Sequence, residues 1–600
     1  MGQKSGQRVI QPRVPDAFLG IDVNKCSIPS CENFAIPSTN HRSDPHYKIS
    51  GNKKNGSSLQ CKKCFHFHSV KSNKAIFEEV ERLSYLQERS TVYRQDGNAC
   101  SNIGCANFGI SVRCEDKLYK LNGKTSVGNQ RYKCLSCGKT FVLDSGKRKN
   151  HPQNKSHLNT TLFRLLVNNM NINRCIEITE LDPKTIYRKI DMFYERAVSF
   201  SATRESILKQ MDLGLMRLAS DRQEYHVNWS NRKDKKNVVM TAIGTADKAS
   251  SYVFGMDVNY EPSISMQDVI EHEEYKRDAQ LKDYNRHHAR LWTERDYQAG
   301  KQAFTDYAKK HKELVQRYRS LPLPISEIGL SELEDRLALE YGIEPTEHSS
   351  TTKLPTVGSQ VHSEYTMYAH FFHLSRLLGH ANALRFYLDQ EPAINRACNL
   401  AFSQSITQGR CHSLFVKINK ELTVDQRRAM VNASEQLLEQ VKTELGVSKE
   451  DARIAVAQGA LNNPIKPSPN SLPWYELPLD KIYECEKHVA FLTDKSRLRI
   501  HSQSMILLDA SLHPIDNFFQ VVRRRLSLLE RPISTTSNVG RVWTGKSPYN
   551  PHMISNLLQI LRVYYNYCRK SPKDGKTPAE RLGLAKGAVE IRKILYPSSS

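Results

Sequence analysis

The chain has 600 residues, of which 39% are apolar and 25% charged. This length and composition predict several soluble domains rather than one. Lys and Arg number 87 against 63 Asp and Glu, which gives a formal charge of +24. Such an excess indicates a polyanionic partner, most simply nucleic acid. A ribosome-associated or membrane-surface protein is the alternative.

Targeting signals are not expected in this sequence. It holds no run of about 18 apolar residues, which argues against a membrane span. The first residues, 1–8, are polar and do not begin a signal peptide. We therefore expect a cytoplasmic protein, in a reducing setting where paired cysteines bind metal more often than they form disulfides.

Eight cysteines fall into two matching sets in the N-terminal part of the chain. The sets are Cys26, Cys31, Cys61 and Cys64, then Cys100, Cys105, Cys134 and Cys137. The flanking residues repeat as well, which indicates a duplication with a period of about 73 residues. Each half predicts a zinc ribbon, over 20–75 and 95–145, in which four thiolates hold Zn²⁺ and stabilise a small β-unit.

Residues 155–200 predict a helix-turn-helix. Apolar residues recur at helical spacing in three short segments, and Asp182-Pro183 marks the start of the third helix. In that helix Ile186 and Ile190 are expected to face inward. The residues expected to face outward, towards DNA, are Lys184, Thr185, Tyr187, Arg188 and Lys189. A plain three-helix packing unit is the alternative, which the preceding ribbons and the basic composition disfavour.

Three consecutive strands are predicted next, at 215–221, 237–245 and 251–258. The first of them ends in Asp221. Antiparallel strands in this order, with an acid on the first, are typical of the start of a ribonuclease-H-like fold. The charged segment 262–360 that follows is predicted to be a helical insertion.

A second acid follows another buried strand. Residues 383–389 predict a strand that ends in Asp389, and a helix begins at Pro392. Neighbouring strand ends in a parallel or mixed sheet would bring Asp221 and Asp389 together. Residues 418–490 are predicted to be a second helical insertion in which Trp474 is exposed or lies at a hinge.

The third acid is expected after residue 500. Met505–Leu508 is predicted to be a buried strand, and a helix is predicted from about Ile515. One face of that helix carries Asp516 and several arginines. The arginines expected to hold phosphates are Arg523, Arg524 and Arg525. Asp509 and Glu530 are rivals of Asp516 for the role of third acid.

Three clustered carboxylates repel one another unless cations neutralise them. Their hard oxygen atoms suit Mg²⁺ or Mn²⁺. Two such ions about 4 Å apart can activate a water or a 3′-hydroxyl and stabilise the leaving oxygen of a phosphodiester. The sequence therefore predicts a two-metal site formed by Asp221, Asp389 and Asp516.

With its ribbons, helix-turn-helix and acids in this order, the chain resembles the bacterial insertion-sequence transposases of the D-D-E/D type. Asp516 precedes Arg523-Arg524-Arg525 by the spacing of that family's third-acid region. The family most often has Glu at this point, whereas this chain has Asp. The resemblance implies a multidomain α/β protein with two zinc ribbons, a helix-turn-helix and a ribonuclease-H-like core over 210–260, 365–415 and 495–565. The remaining residues, 566–600, form a C-terminal segment.

The resemblance also implies an activity and partners. Such a protein would bind the inverted repeats at the transposon ends, cleave double-stranded DNA and join the 3′-hydroxyls to target DNA. It would act in transposition, a form of DNA recombination, as a homo-oligomer on DNA in the bacterial nucleoid. A DNA-binding regulator with an inactive core, and a nuclease without strand transfer, are the two alternatives.

Overall fold

The computed structural model has two small sheets, a three-helix unit and a large mixed sheet covered by helices. It describes the following residues: 12–41, 43–52, 56–87, 99–100, 105, 107, 112, 118–125, 130–142, 155–228, 233, 235–276, 278, 281–319, 337, 352–420, 422–466, 471–530 and 546–596. No helix within these ranges is long and apolar enough to cross a membrane.

Each cysteine set is associated with an antiparallel three-stranded sheet, whose middle strand ends in one of the four cysteines, Cys61 or Cys134. The first sheet consists of β1 (Tyr47–Asn52), β2 (Gly56–Cys61) and β3 (Phe67–Ser69), and helix α1 (Asn73–Gln87) follows it. The second consists of β4 (Tyr119–Lys124), β5 (Gln130–Cys134) and β6 (Thr140–Val142). The repeat in the sequence is therefore a repeat of structure.

Three helices follow the second small sheet. They are α2 (Asn159–Leu166), α3 (Ile172–Thr179) and α4 (Pro183–Glu205). Asp182 caps α4, since its carboxylate accepts a hydrogen bond from the Thr185 amide at 3.0 Å. At 23 residues, α4 is about 35 Å long. It ends five residues past the predicted unit and packs against α1.

The large sheet has seven strands in the order β14-β15-β13-β12-β7-β8-β9. The strands are β7 (Leu215–Val227), β8 (Val238–Asp247), β9 (Val253–Val258), β12 (Ala383–Leu388), β13 (Cys411–Lys417), β14 (Trp474–Glu476) and β15 (His488–Phe491). The pairs β7–β12 and β12–β13 are parallel, and the other four are antiparallel.

The prediction that the first strand ends at Asp221 is wrong. Strand β7 continues to Val227, and Asp221 lies in its middle, opposite Gly244 of β8. Half-buried and buried side chains alternate beyond Asp221, as the second half of β7 pairs with β8 while its other edge is no longer paired with β12. It is β12, rather than β7, that ends beside the acid.

The segment 262–360 is helical in part and also adds a short strand pair. It contains α5 (Met266–Lys276) and α6 (Glu294–Arg319), while β10 (Tyr260–Glu261) pairs with β11 (Ser359–Gln360). Most of 320–351 lies outside the described residues. Helices α7 (Ser363–Leu378), α8 (Pro392–Ala401) and α9 (Ser403–Thr407) then flank the strands that follow.

The prediction of a helical insertion over 418–490 is wrong for its last part. Helices α10 (Val424–Leu445) and α11 (Lys449–Asn462) fill the first part, but β14 and β15 then extend the large sheet. Trp474, predicted to be exposed or at a hinge, is fully buried and stacks against Phe415. Alternation over three or four residues is too short a signal to identify such edge strands from sequence.

The buried run Met505–Leu508 is a helix, not the predicted strand. It belongs to α12 (Ile500–Asp509), which packs against α11. A run of four apolar residues does not distinguish a buried strand from a buried helix. The next helix, α13 (His513–Arg525), begins two residues before the predicted start because Pro514 fits its first turn.

Three helices close the chain over the large sheet. They are α14 (His552–Tyr567), α15 (Pro578–Leu582) and α16 (Ile591–Leu595). Helix α14 packs on both α4 and β9. Within this contact the buried Arg562 donates to Glu205 at 2.6 Å and to the Phe254 carbonyl at 2.9 Å. The three-helix unit is thus anchored to the large sheet.

Candidate functional site

Asp221 and Asp389 lie side by side at the point where β12 ends. The parallel register pairs Leu388, the last residue of β12, with Ser220 of β7. The next residue on each strand is an aspartate. The Asp389 amide donates to the Ser220 carbonyl at 3.3 Å. The prediction that strand geometry brings these two acids together is thus consistent with the register.

Asp516 reaches the same place from helix α13, which packs on β7 and β8. The contact depends on Gly244, opposite Asp221 in the register. A Cβ at this position would lie 2.8 Å from Ile515 Cδ1 and 2.7 Å from Met256 Sδ. The missing side chain therefore lets the first turn of α13 lie directly on the sheet, with Asp516 next to Ile515 in the sequence.

The three aspartates line one cleft of about 700 Å³. Two other carboxylates, Glu224 and Glu530, also line it. The cationic side chains along its walls are Arg222, Lys420, Arg427 and Arg523. A cleft lined by both acids and cations can hold metal ions through its carboxylates and phosphate groups through its cations.

The carboxylates interact strongly with one another. Burial raises the pKa of Asp221 well above its ordinary value, and the charges of Asp389 and Asp516 raise it further. Burial also raises the pKa of Asp516 to about 6, with Lys420 opposing the shift and Asp389 adding to it. Desolvation alone would lower the pKa of Lys420, but the three aspartates outweigh it and raise that pKa.

The two rivals of Asp516 have other surroundings. Asp509 accepts from Arg217 at 2.7 Å, Arg385 at 3.0 Å and Lys248 at 3.2 Å, and it does not line the cleft. Burial would raise the pKa of Asp509, but Lys248 and Arg217 outweigh it and lower the pKa. Glu530 lines the cleft, yet it is exposed and forms an ion pair with Lys546 at 2.8 Å.

The three arginines of α13 point in different directions. Arg523 lines the cleft, and its Nε lies 2.7 Å from the side-chain amide of Gln223. Arg524 is exposed. Arg525 lies outside the cleft and donates to Asn168 Oδ1 at 2.8 Å, in the connection between α2 and α3. Of the three predicted phosphate-binding arginines, Arg523 is therefore the one placed beside the acids.

A buried chain of hydrogen bonds supports the strand that carries Asp221. Asp257 Oδ2 lies 2.7 Å from His370 Nδ1, and His370 Nε2 lies 2.7 Å from Thr245 Oγ1. Thr245 Oγ1 in turn lies 2.7 Å from Ser220 Oγ. All four side chains are buried, so this chain fixes β7, β8 and β9 relative to one another beneath the acids.

Sequence reasoning missed two charged residues at the site. Lys420 follows β13, and its positive charge lowers the pKa of Asp221 and of Asp516. Glu484 is buried at the start of α13 and accepts from the Leu512 amide at 3.0 Å and the His513 amide at 3.2 Å. A carboxylate at a helix N-terminus stabilises it, but neither residue belongs to a spacing motif that would reveal it.

The predicted DNA-reading residues lie at the N-terminal end of α4. Lys184, Tyr187 and Arg188 are exposed there, and Thr185 is half-buried beside the cap. The prediction that Lys189 faces outward is wrong, because its Nζ is buried and donates to Asn159 Oδ1 at 2.6 Å.

The two cysteine sets each bring four sulfur atoms within 4.8 Å of one another. Two contacts in the first set measure 3.7 Å, Cys26–Cys64 and Cys31–Cys61. Those in the second measure 3.5 Å for Cys100–Cys137 and 3.6 Å for Cys105–Cys134. Tetrahedral Zn²⁺ with bonds of about 2.3 Å sets sulfur atoms about 3.8 Å apart, so each set could hold this ion.

The contacts around the sulfur atoms repeat as well. Asn33 Nδ2 donates to Cys61 Sγ at 3.4 Å, and Asn107 Nδ2 donates to Cys134 Sγ at the same distance. Such contacts orient metal ligands.

Comparisons of the chain with known protein families, with curated proteins and with solved structures found no match.

Proposed function

We propose that the protein is a DNA transposase of the D-D-E/D type, with Asp221, Asp389 and Asp516 as its catalytic acids. The observation that carries the proposal is the convergence of these acids, from three separate elements, in one cleft lined by cations. The strand arrangement supports it. Strands β7 to β9 are antiparallel and consecutive, and β12 and β13 run parallel to β7, as a ribonuclease-H-like core requires.

The donor set suits Mg²⁺ or Mn²⁺, because it consists of carboxylates. Burial, and then repulsion by neighbouring carboxylates, raises the pKa of Asp221 and of Asp516. Within the described residues, the oxygens of the three aspartates do not all lie within 4.8 Å of one another, unlike the sulfur atoms of the cysteine sets. When bound, such ions lower the pKa of a water and stabilise the leaving oxygen.

The protein's own residues would position the DNA. In the cleavage step, the water oxygen bonds to phosphorus and the bond from phosphorus to the 3′-oxygen breaks. This leaves a 3′-hydroxyl and a 5′-phosphate. In strand transfer the 3′-hydroxyl attacks a target phosphodiester, and a target 3′-oxygen leaves with the proton. Arg523 and Lys420 lie where they can bind the non-bridging oxygens of that phosphate.

DNA-end recognition is assigned to the ribbons and the three-helix unit. The exposed Lys184, Tyr187 and Arg188 occupy the start of α4, where a recognition helix contacts bases and backbone. The connection between α2 and α3 touches the end of α13, since the Asn169 amide donates to the Arg525 carbonyl at 2.8 Å. The three-helix unit is therefore in direct contact with the helix that carries Asp516. Action as a homo-oligomer on DNA is part of the proposal.

The test is cleavage of a plasmid that carries the DNA flanking both sides of the gene. With Mg²⁺, the unaltered protein should cut at the ends of this DNA and form joint molecules with a second plasmid. Asp221→Ala should abolish both reactions and leave salt-sensitive DNA binding intact. Asp306→Ala is the matched control, because Asp306 is exposed on α6.

Each outcome distinguishes a class of protein. Unchanged cleavage by the Asp221→Ala variant would refute the site. Cleavage without joint molecules would indicate a nuclease. DNA binding without cleavage by the unaltered protein would indicate a regulator with an inactive core.

A further inference from the structure

We propose that His272, His287 and His288 form a further metal site, which binds Zn²⁺. The three rings each offer one nitrogen, and these nitrogens all lie within 4.8 Å of one another. His272 is on α5, while the other two follow the short helical turn Asp283–Asn285. The ring centroids are 4.2 Å apart for His272–His287, 5.2 Å for His272–His288 and 4.5 Å for His287–His288.

His288 is the residue that most directly indicates a ligand. Its side chain is buried, and its Nε2 has no hydrogen-bond partner among the residues that the structure describes. An unsatisfied buried polar atom costs about 1–3 kcal/mol, which a bond to a metal ion would offset.

The backbone around the histidines is already fixed. The His287 amide donates to Asp278 Oδ2 at 2.7 Å, and the His288 carbonyl accepts from the Leu291 amide at 2.9 Å. Two residues further on, Arg290 is paired with Glu79 at 2.9 Å and Glu261 at 2.7 Å. These carboxylates offset the guanidinium charge that would otherwise repel a cation.

The ligand chemistry selects the ion. Three neutral imidazoles suit Zn²⁺ and other late first-row metals, whereas Mg²⁺ prefers oxygen ligands. Bonds of about 2.0–2.1 Å in a tetrahedron place the nitrogens about 3.3 Å apart, which falls within the 4.8 Å limit that the three nitrogens meet. Water or a fourth group would complete the coordination.

The position of the site suggests its effect. Tyr284, just before the histidines, is buried in the core of the first ribbon and donates to the Arg13 carbonyl at 2.9 Å. A metal ion on the three histidines would join α5 to this segment. It would thereby tie the inserted region to the first ribbon, independently of the cleft that holds the aspartates.

The test is the metal content of the full chain, purified with zinc and then desalted. The unaltered protein should hold one ion per chain more than His272→Ala. This substitution places a good helix former on the half-buried face of α5. His501→Ala is the control, because His501 is exposed on α12, and it should keep the full content. Equal metal content in the unaltered protein and His272→Ala would overturn the site.

Cobalt substitution assigns the lost ion. His272→Ala should lose part of the d–d absorption and keep the thiolate-to-cobalt charge-transfer band of the cysteine sets. Cys137→Ser should instead weaken that band. Loss of the thiolate band in His272→Ala would assign the lost ion to a ribbon and overturn the proposal.

Discussion

Replacing Asp516 with Asn should stabilise the metal-free protein at neutral pH, although it removes a catalytic acid. The pKa of Asp516 is raised from 3.8 to about 6, because burial and nearby carboxylates disfavour its charge. A shift of about two units corresponds to about 3 kcal/mol. The native state therefore binds this proton more tightly than the unfolded chain, and stability falls as pH rises from about 4 to 6. Above pH 6 the Asp516 carboxylate is ionised in the native state, and its full destabilising effect on the fold is present.

The assay is thermal unfolding between pH 4 and 8, with magnesium removed by dialysis. A chelator would also strip the cysteine sites. At pH 7.5, Asp516→Asn should unfold several degrees above the unaltered protein, and the difference should vanish near pH 4. Added Mg²⁺ should raise the transition of the unaltered protein, since binding to the native state stabilises it. The variant should not respond in this way.

Asp509→Asn is the matched control, and its expected effect on stability is the opposite of that of Asp516→Asn. Arg217, Arg385 and Lys248 surround Asp509, and its pKa is lowered. Its charge therefore stabilises the fold above its unfolded pKa, and the substitution should destabilise the protein at pH 7.5. If Asp516→Asn is destabilising at pH 7.5, or keeps the full response to Mg²⁺, the assignment of Asp516 as a desolvated metal ligand is refuted.

Three further predictions concern other parts of the molecule. Lys184→Ala combined with Arg188→Ala should weaken DNA binding and reduce the slope of log K against log salt by about 2; an unchanged slope in titrations would exclude both side chains from phosphate contact. Arg562→Leu should destabilise the protein by about 3–5 kcal/mol, because Glu205 would keep a buried, uncompensated charge. Adding Glu205→Gln should recover part of that loss in the melting temperature. Gly244→Ala should lift α13 from the sheet and weaken Mg²⁺ binding, measured by calorimetry, and an unchanged affinity would show that the close contact with Ile515 does not position Asp516.

Features that depend on residues close together in the sequence could be predicted from it. The cysteine sets could be predicted because ligands to one ion come in closely spaced pairs, such as Cys61 and Cys64. The start of α4 could be predicted because Asp182 and Pro183 act within one helical turn. Asp389 could be singled out because it follows a short strand that is apolar except for Arg385.

Features that depend on packing between distant segments could not be predicted from the sequence. Asp221 lies inside β7, and it reaches the cleft because β12 ends at Leu388, a fact set by another segment. The apolar run Met505–Leu508 is compatible with either a buried strand or a buried helix. Which of the two it forms depends on its packing against α11. Lys420 and His272 acquire partners from distant segments. Their local sequence therefore carries no signal of a site.

The most direct test of the central claim is a crystal structure with Mn²⁺, located by its anomalous scattering. Two peaks about 4 Å apart, coordinated by Asp221, Asp389 and Asp516, are predicted for the unaltered protein with a cleaved DNA end. Manganese bound by Glu530 in place of Asp516 would contradict the assignment of the third acid. A cleft that binds DNA in saturating Mn²⁺ and shows no peak beside Asp221 would contradict the account of a metal-dependent transposase.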